Sequence, residues 1–284
     1  MTHSEIGIVI VIMHPSPEDI AHASALAAKY KGAIVDNSSC RNFDESQIGN
    51  MAYIPLLENC GIATAQNTAV RHLMKDSSIR YIVFLDQDSR IPDSYPTDMV
   101  KEYQRVKSQH PNLAILGPTV INKTTGEVYQ SALHRQPEAT NDFIVSETVI
   151  SSGSCVETET LRAIGLNDER LFIDYVDFEW CWRATAQGYC CGQTTRVLLK
   201  HQVGRRALHL GRHIILVAAP FRYYYLYRNF LWLLRRDYVP RTWKRNNAVK
   251  LFLRLFYFPF VIPQGFCAMK NMWRGIFAGI KSPR

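Results

Sequence analysis

Phe84-Leu85-Asp86-Gln87-Asp88 sets two carboxylates two residues apart, directly after the apolar run Tyr81-Ile82-Val83-Phe84-Leu85. The run has the length and β-rich composition of a buried strand, and Gln87, Ser89, Arg90 and Pro92 end it. Asp86 and Asp88 then project from the C-terminal edge of a sheet, where open α/β folds place their ligands. Hard oxygens there hold Mg²⁺ or Mn²⁺ against a diphosphate, although an Asp-x-Asp also describes a solvated turn after a strand. Asp88 is the candidate direct ligand, Asp86 reaches a ribose or a metal-bound water, and Gln87 between them points the other way by strand alternation. A second acidic segment, Asp174-Tyr175-Val176-Asp177-Phe178-Glu179, offers Asp174 or Asp177 as a proton acceptor. Asp177 begins a helix, where a carboxylate also serves as a simple N-cap. Glu179 and Arg183, four apart, can pair on one face of that helix.

The elements that must position these groups read as alternating strands and helices. Gly7 to Met13 predicts a strand, Pro17 to Tyr30 a helix, and Ala33 to Val35 a second strand ending at Asp36-Asn37. A weaker strand lies near Ala52 to Pro55, and Cys60-Gly61 introduces a helix through Ala63, Ala65, Ala69 and Leu73. The strand before Asp86 follows, and Leu113 to Leu116 is another. This alternation predicts an α/β fold with a mainly parallel, Rossmann-like sheet covered by helices on both faces. Thr124 to Thr148 is polar and irregular, suited to hairpins and loops. Thr160 to Gly165 reads as a short helix, and Phe178 to Gln187 as one closed by Gly188.

The 284 residues are 47% hydrophobic and 20% charged, which marks a folded globular chain. The opening apolar run, Ile6 to Met13, is short and followed by Pro15, so it reads as a strand rather than an export signal. An odd number of cysteines, seven, suits a reducing cytosol. Residues 1–200 carry 17 Lys and Arg against 24 Asp and Glu, whereas residues 201–284 carry 16 against one, Asp237. The basic, aromatic tail should seek a polyanion. Leu251 to Ile262 is too short to span a bilayer, which takes about 20 residues. Phe266, Met269, Trp273, Ile276, Phe277 and Ile280 fall on one helical stripe flanked by Lys270, Arg274 and Lys281. That is the pattern of a helix lying on an anionic membrane surface.

Four segments in order are more specific than any one: Val35-Asp36-Asn37-Ser38-Ser39, Glu58-Asn59-Cys60-Gly61-Ile62-Ala63, Phe84-Leu85-Asp86-Gln87-Asp88-Ser89, and Leu171 to Arg183. With them the chain resembles family 2 inverting glycosyltransferases of the GT-A fold, and most closely bacterial rhamnosyltransferases that build surface polysaccharides such as O-antigen. The resemblance runs from about residue 5 to 240, and Arg222-Tyr-Tyr-Tyr to Asp237-Tyr-Val-Pro also looks like the family's C-terminal region. It implies dTDP-L-rhamnose as donor, a glycan on a polyprenyl diphosphate lipid as acceptor, and Mg²⁺ or Mn²⁺ as cofactor. Asp36 resembles the residue that bonds the nucleotide base, and Asn59 and Gly61 approach the nucleotide through a tight turn. His201, after Val197 to Leu199, resembles the histidine that completes the metal site. Asp177 falls where the family has its catalytic Asp, six residues before Arg183, although Val176 stands where a Glu usually precedes it. Glu179, Trp180, Arg183 and Asp174 are expected to shape the site, and Gly153 to lie under donor and acceptor. The expected organisation is a catalytic domain over 1–205, divided near 120 into donor and acceptor halves, then a basic helical membrane-associating region over 206–284. The expected location is the inner face of the cytoplasmic membrane.

Two other classes share part of this pattern. A phosphatase of the haloacid dehalogenase class also carries strand-Asp-x-Asp, but expects Thr or Val where this chain has Arg90. A nucleic-acid-binding protein would use the basic tail, yet the tail has no recognisable helix-turn-helix or RNA-binding signature, and Asp86, Asp88 and Asp177 would be unexplained. The oligomeric state is not legible in the sequence.

Overall fold

A computed structural model describes residues 3–122, 142–201, 206–210 and 213–281. The chain begins with β1 (Ile6–Ile12), α1 (Pro17–Ala27), β2 (Lys31–Asp36), β3 (Met51–Pro55), α2 (Ile62–Leu73) and β4 (Tyr81–Asp86). It continues through α3 (Tyr95–Gln109) to β5 (Leu113–Asn122). After it come β6 (Phe143–Val145), β7 (Cys155–Glu157), α4 (Thr158–Ile164), α5 (Val176–Ala186) and β8 (Cys190–His201). The chain then forms β9 (Arg206–Leu210), β10 (His213–Val217), α6 (Arg222–Leu234), α7 (Arg241–Val261) and α8 (Gly265–Ile280). Most of the stretch expected to be irregular, Thr124 to Thr148, lies outside the described residues.

The main sheet has the order β3-β2-β1-β4-β7-β5-β8-β6. β1, β2, β3 and β4 run parallel, as do β5 and β8, while β7 and β6 run against them. The mostly parallel sheet is therefore as expected, with β7 wedged antiparallel between β4 and β5. β1 is buried along its whole length, and its alternation divides two layers. Ile6, Ile8, Ile10 and Ile12 pack with Leu26 and Tyr30 of the α1 side and Met99 and Tyr103 of α3. Val9 and Val11 pack with Ala65, Ala69 and Val70 of α2 and Trp180 and Ala184 of α5. Each fully buried large aliphatic contributes about 1.5–3 kcal/mol, so this strand anchors both faces. α1 starts on a capping box: Ser16 Oγ accepts from Asp19 N–H, and Asp19 accepts from Ser16 N–H.

A third core joins the C-terminal helices to α5. Trp182 of α5 packs with Tyr223, Phe230, Trp243, Phe258 and Met272. The boundary expected at 205/206 falls outside the described residues. On α8 the small residues Gly265, Ala268, Gly275 and Gly279 are buried. A Cβ on Gly275 would sit 2.3 Å from the Tyr224 carbonyl oxygen of α6, so close packing requires glycine there. The large residues Phe266, Trp273, Phe277 and Ile280 face outward, as do Phe252, Phe256 and Phe260 of α7. The expected apolar stripe is thus split, since Met269 and Ile276 are half-buried. No helix among the described residues is long and apolar enough to cross a membrane.

Candidate active site

The C-terminal ends of β1, β2 and β4 frame an open cleft of about 370 Å³. Its walls include Met13, His14, Asn37, Asn59, Gly61, Asp86, Gln87, Asp88, Phe172 and Ile173. Asp88 is exposed and Asp86 half-buried. The turn that presents them is fixed by Ser89, whose N–H donates to the Asp86 carbonyl at 3.0 Å and whose hydroxyl accepts from Asp86 N–H at 3.2 Å. Ser89 in turn lies 3.0 Å from the Ser152 hydroxyl. The side-chain oxygen of Gln87 accepts from Met13 N–H at 2.6 Å, tying the end of β1 to that of β4. Arg90 locks this corner by donating to the Gln87 carbonyl and pairing with Asp19.

Asp36 is fully buried. One carboxylate oxygen accepts from Ser38 N–H, and the other from Asn42 N–H, the Asn42 side chain and the Tyr53 hydroxyl, at 2.6–3.1 Å. Burial alone would raise its pKa, but these donors prevail and hold it below the usual range. Asp36 thus organises the loop after β2, and its neighbour Asn37 is the residue that reaches the cleft wall. Asn37 bonds Asn59 at 3.0 Å and accepts from Cys60 N–H, while Asn59 accepts from Gly61 N–H. Gly61 has φ +85°, and a Cβ there would meet Phe172 at 2.6 Å. Glycine is required on both counts.

Phe172 opens the segment that delivers the acidic residues. Phe172, Asp174 and Tyr175 all have φ between 64° and 66°, and Ile173 N–H donates to the Leu171 carbonyl at 2.7 Å. With ψ of −64° at Phe172 this is a γ-turn, a rare and strained conformation. Backbone of this kind costs of order 1–3 kcal/mol per residue and needs surrounding structure to hold it. Asp174 is ion-paired with Arg222 of α6 and nearly buried. Asp177 instead stands in the wall beside Phe84, Ser151 and Trp180, next to a cavity of about 30 Å³. Burial pushes its carboxyl up to about 6, against the lowering pull of the Ser151 and Phe178 amides and with a further push from Asp86. Glu179 is buried and held by Arg183 at 2.9 Å, Arg236 at 3.0 Å and the Tyr238 hydroxyl. Arg183 also donates to the Ile164 and Leu166 carbonyls, and Trp180 to that of Gly165. These three therefore brace α5. Gly153, with φ +75°, lies under Tyr95, whose hydroxyl donates to the Gly153 carbonyl.

Asp86 and Asp88 give a divalent cation two hard oxygen donors at the cleft edge, and no group of three or more His, Cys, Asp or Glu surrounds a common point among the described residues. That donor set fits an ion such as Mg²⁺, which keeps several waters and takes substrate phosphate oxygens beside one or two carboxylates. His201 ends β8 opposite Asn122, and its side chain lies outside the described residues.

No sequence-family model matches the chain. It is 30% identical over 253 residues to dTDP-rhamnosyl transferase RfbF of Shigella flexneri, covering 84% of this chain and 82% of that one. The chain is a family 2 glycosyltransferase. A second relative, the low-salt glycan biosynthesis hexosyltransferase Agl10 of Haloferax volcanii, is 22% identical over 202 residues, 65% of this chain and 63% of that one. The fold matches residues 1–349 of S. aureus TarS with a TM-score of 0.51 and 14% identity, over 96% of this chain and 81% of that one. It also matches GalNAc-T7 crystallised with UDP, GalNAc and Mn²⁺, with a TM-score of 0.51 and 13% identity, over 69% of this chain. This chain spans 43% of that longer protein. The glycosyltransferase assignment displaces the phosphatase and nucleic-acid readings.

Sequence reasoning about this glycosyltransferase missed Asn37, Phe172 and the α6 residues that hold the acidic loop. Asn37 was open to discovery as the neighbour of Asp36 in the same motif. For α6 the signal was Arg222, Tyr225, Arg228-Asn229 and Trp232, which recur at helical spacing and put a buried amide inside an aromatic helix.

Proposed function

We propose that this glycosyltransferase moves L-rhamnose from dTDP-L-rhamnose to a hydroxyl of a polyprenyl-diphosphate-linked glycan, with inversion at the anomeric carbon. The observation that carries the mechanism is the contrast between two acids. Asp174 is committed to Arg222, whereas Asp177 has no cationic partner among the described residues, lines the small cavity beside Phe84 and Ser151, and has a carboxyl raised to about 6. A carboxylate of that basicity accepts the acceptor's hydroxyl proton as the oxygen bonds the sugar carbon and the bond to dTDP breaks. Asp88 and Asp86, with His201 as a further ligand, would hold Mg²⁺ or Mn²⁺, which would supply positive charge against the diphosphate. Asn59, Gly61 and Asn37 line the nucleotide side, and Asp36 and Gln87 hold that wall in shape. The donor sugar is taken from the relative that shares 30% of its sequence with this chain.

The acceptor reading rests on the outward face of α7 and α8. A helix that buries glycine and alanine and exposes Phe and Trp has its large apolar residues aimed at a lipid-like medium. Exposed Lys270, Arg274 and Lys281 suit anionic headgroups. We infer peripheral docking on the cytoplasmic face of the membrane, with no nucleic-acid partner.

The decisive experiment offers the protein a panel of sugar nucleotides with Mg²⁺ or Mn²⁺ and measures nucleoside diphosphate release. Release from dTDP-L-rhamnose alone, lost in EDTA and in Asp88→Ala, is the expected result. Release from a different nucleotide sugar would replace the donor, and full activity in EDTA would remove the metal.

A further inference from the structure

One face of α6 is given over to the strained acidic loop. Arg222 pairs with Asp174. Tyr225 stacks on Phe172, with ring centroids 4.5 Å apart and planes at 7°. Trp232 packs beside Ala63, Leu171 and Val176. At the centre lies Asn229, fully buried although it carries an amide. Its nitrogen is 2.9 Å from the Leu171 carbonyl, 2.8 Å from that of Ile173 and 3.1 Å from that of Asp174. Its oxygen accepts from Arg228 Nε and Nη2 at 3.0 and 2.8 Å, which fixes which end of the amide meets the loop. Arg228 also donates to the Arg170 and Leu171 carbonyls and lies over the Trp232 ring, 4.3 Å from its centroid.

We propose that Asn229, oriented by Arg228, is a positioning residue for Asp177: it holds the carbonyls of the Leu171–Asp174 segment around the γ-turn and so sets where α5 begins and where its first acid points. Three carbonyls turned toward one point repel each other unless a donor stands between them, and the amide is that donor. The γ-turn then aims Phe172 at Gly61, where Ala63 N–H meets the Phe172 carbonyl at 3.3 Å, so the same amide joins the acid to the nucleotide wall. The inference rests on the reading of Asp177 as the base.

Asn229→Asp tests it, because the change keeps size and the bond to Arg228 but turns an acceptor toward the three carbonyls. dTDP release from dTDP-L-rhamnose should fall about 10²-fold, the cost of displacing a catalytic group by about 1 Å. dTDP affinity should stay within about twofold, and amide hydrogen exchange should quicken in residues 170–177. Arg228→Lys, which keeps the charge but not the planar fork, should show the same pattern more weakly, and it decides the matter if Asn229→Asp does not fold. Wild-type turnover in the folded variant overturns the proposal, as does a loss of turnover matched by an equal loss of dTDP affinity. Unaltered turnover in Asp177→Asn would instead remove the base, and the exchange measurement then still judges whether Asn229 holds the loop.

Discussion

Asp177 is placed where its chemistry and the stability of the fold oppose each other. With Asp177 as the proposed base the carboxylate is the working form, so the rate should fall about tenfold per pH unit below about 6. The same shift acts on folding. The folded-state value lies above the ordinary carboxylate value of 3.8, so between these values the folded chain binds more protons than the unfolded one. Stability therefore declines as pH rises through that window and stays lower above it. Asp177→Asn is neutral throughout. Turnover should drop by about 10²–10⁴, while the folded state gains about 3 kcal/mol at pH 7.5 and nothing near pH 3. Thermal melts at both pH values, with dTDP release alongside, check this. A variant that melts lower at pH 7.5 and still turns over would contradict both halves.

At the scale of elements, the contact between the loop before α5 and the start of α2 is the joint of the site. Gly61 and Gly188 have nearly the same φ, +85° and +86°, but a Cβ on Gly188 meets nothing within 4 Å while one on Gly61 meets Phe172. Gly188→Ala should cost about 1 kcal/mol from backbone conformation alone. Gly61→Ala should cost about 1–3 kcal/mol more and weaken dTDP binding, measured by melting and calorimetry. Equal effects would mean that the loop yields freely. The local signals of this architecture were legible: the apolar run before Asp86, the glycine that opens α2, and the Asp177 to Arg183 segment. α3 went unread, although Tyr95, Met99, Val100, Tyr103 and Val106 recur at helical spacing and Pro96 stands in its first turn. β7 has three residues and owes its place to partners about 40 and 70 positions away. Composition read α6 as a basic, aromatic tail, and composition does not tell which face of a helix turns inward.

For the whole molecule, the large apolar residues that α7 and α8 turn outward, Phe252, Phe256, Phe260, Phe266, Trp273 and Phe277, predict where it sits. The chain should co-sediment with phosphatidylglycerol vesicles, less with phosphatidylcholine vesicles, and less again at 1 M salt, where the Debye length is about 3 Å. Phe256→Glu with Phe260→Glu should abolish binding without unfolding, since both side chains are exposed. Truncation after Pro240 would be a poorer test, as it removes Trp243, Phe258 and Met272 from the core shared with Trp182. Negligible binding to both lipids, with self-association lost in the double variant, would assign this face to a second copy. The wedge of β7 between β4 and β5 has a consequence for biosynthesis. When residue 86 has been made, β4 is complete on one side only, and its other neighbour ends at residue 157. At about 5–20 residues per second, a nascent chain carries that open strand edge for roughly 4–14 s, an interval in which chaperone capture competes with aggregation.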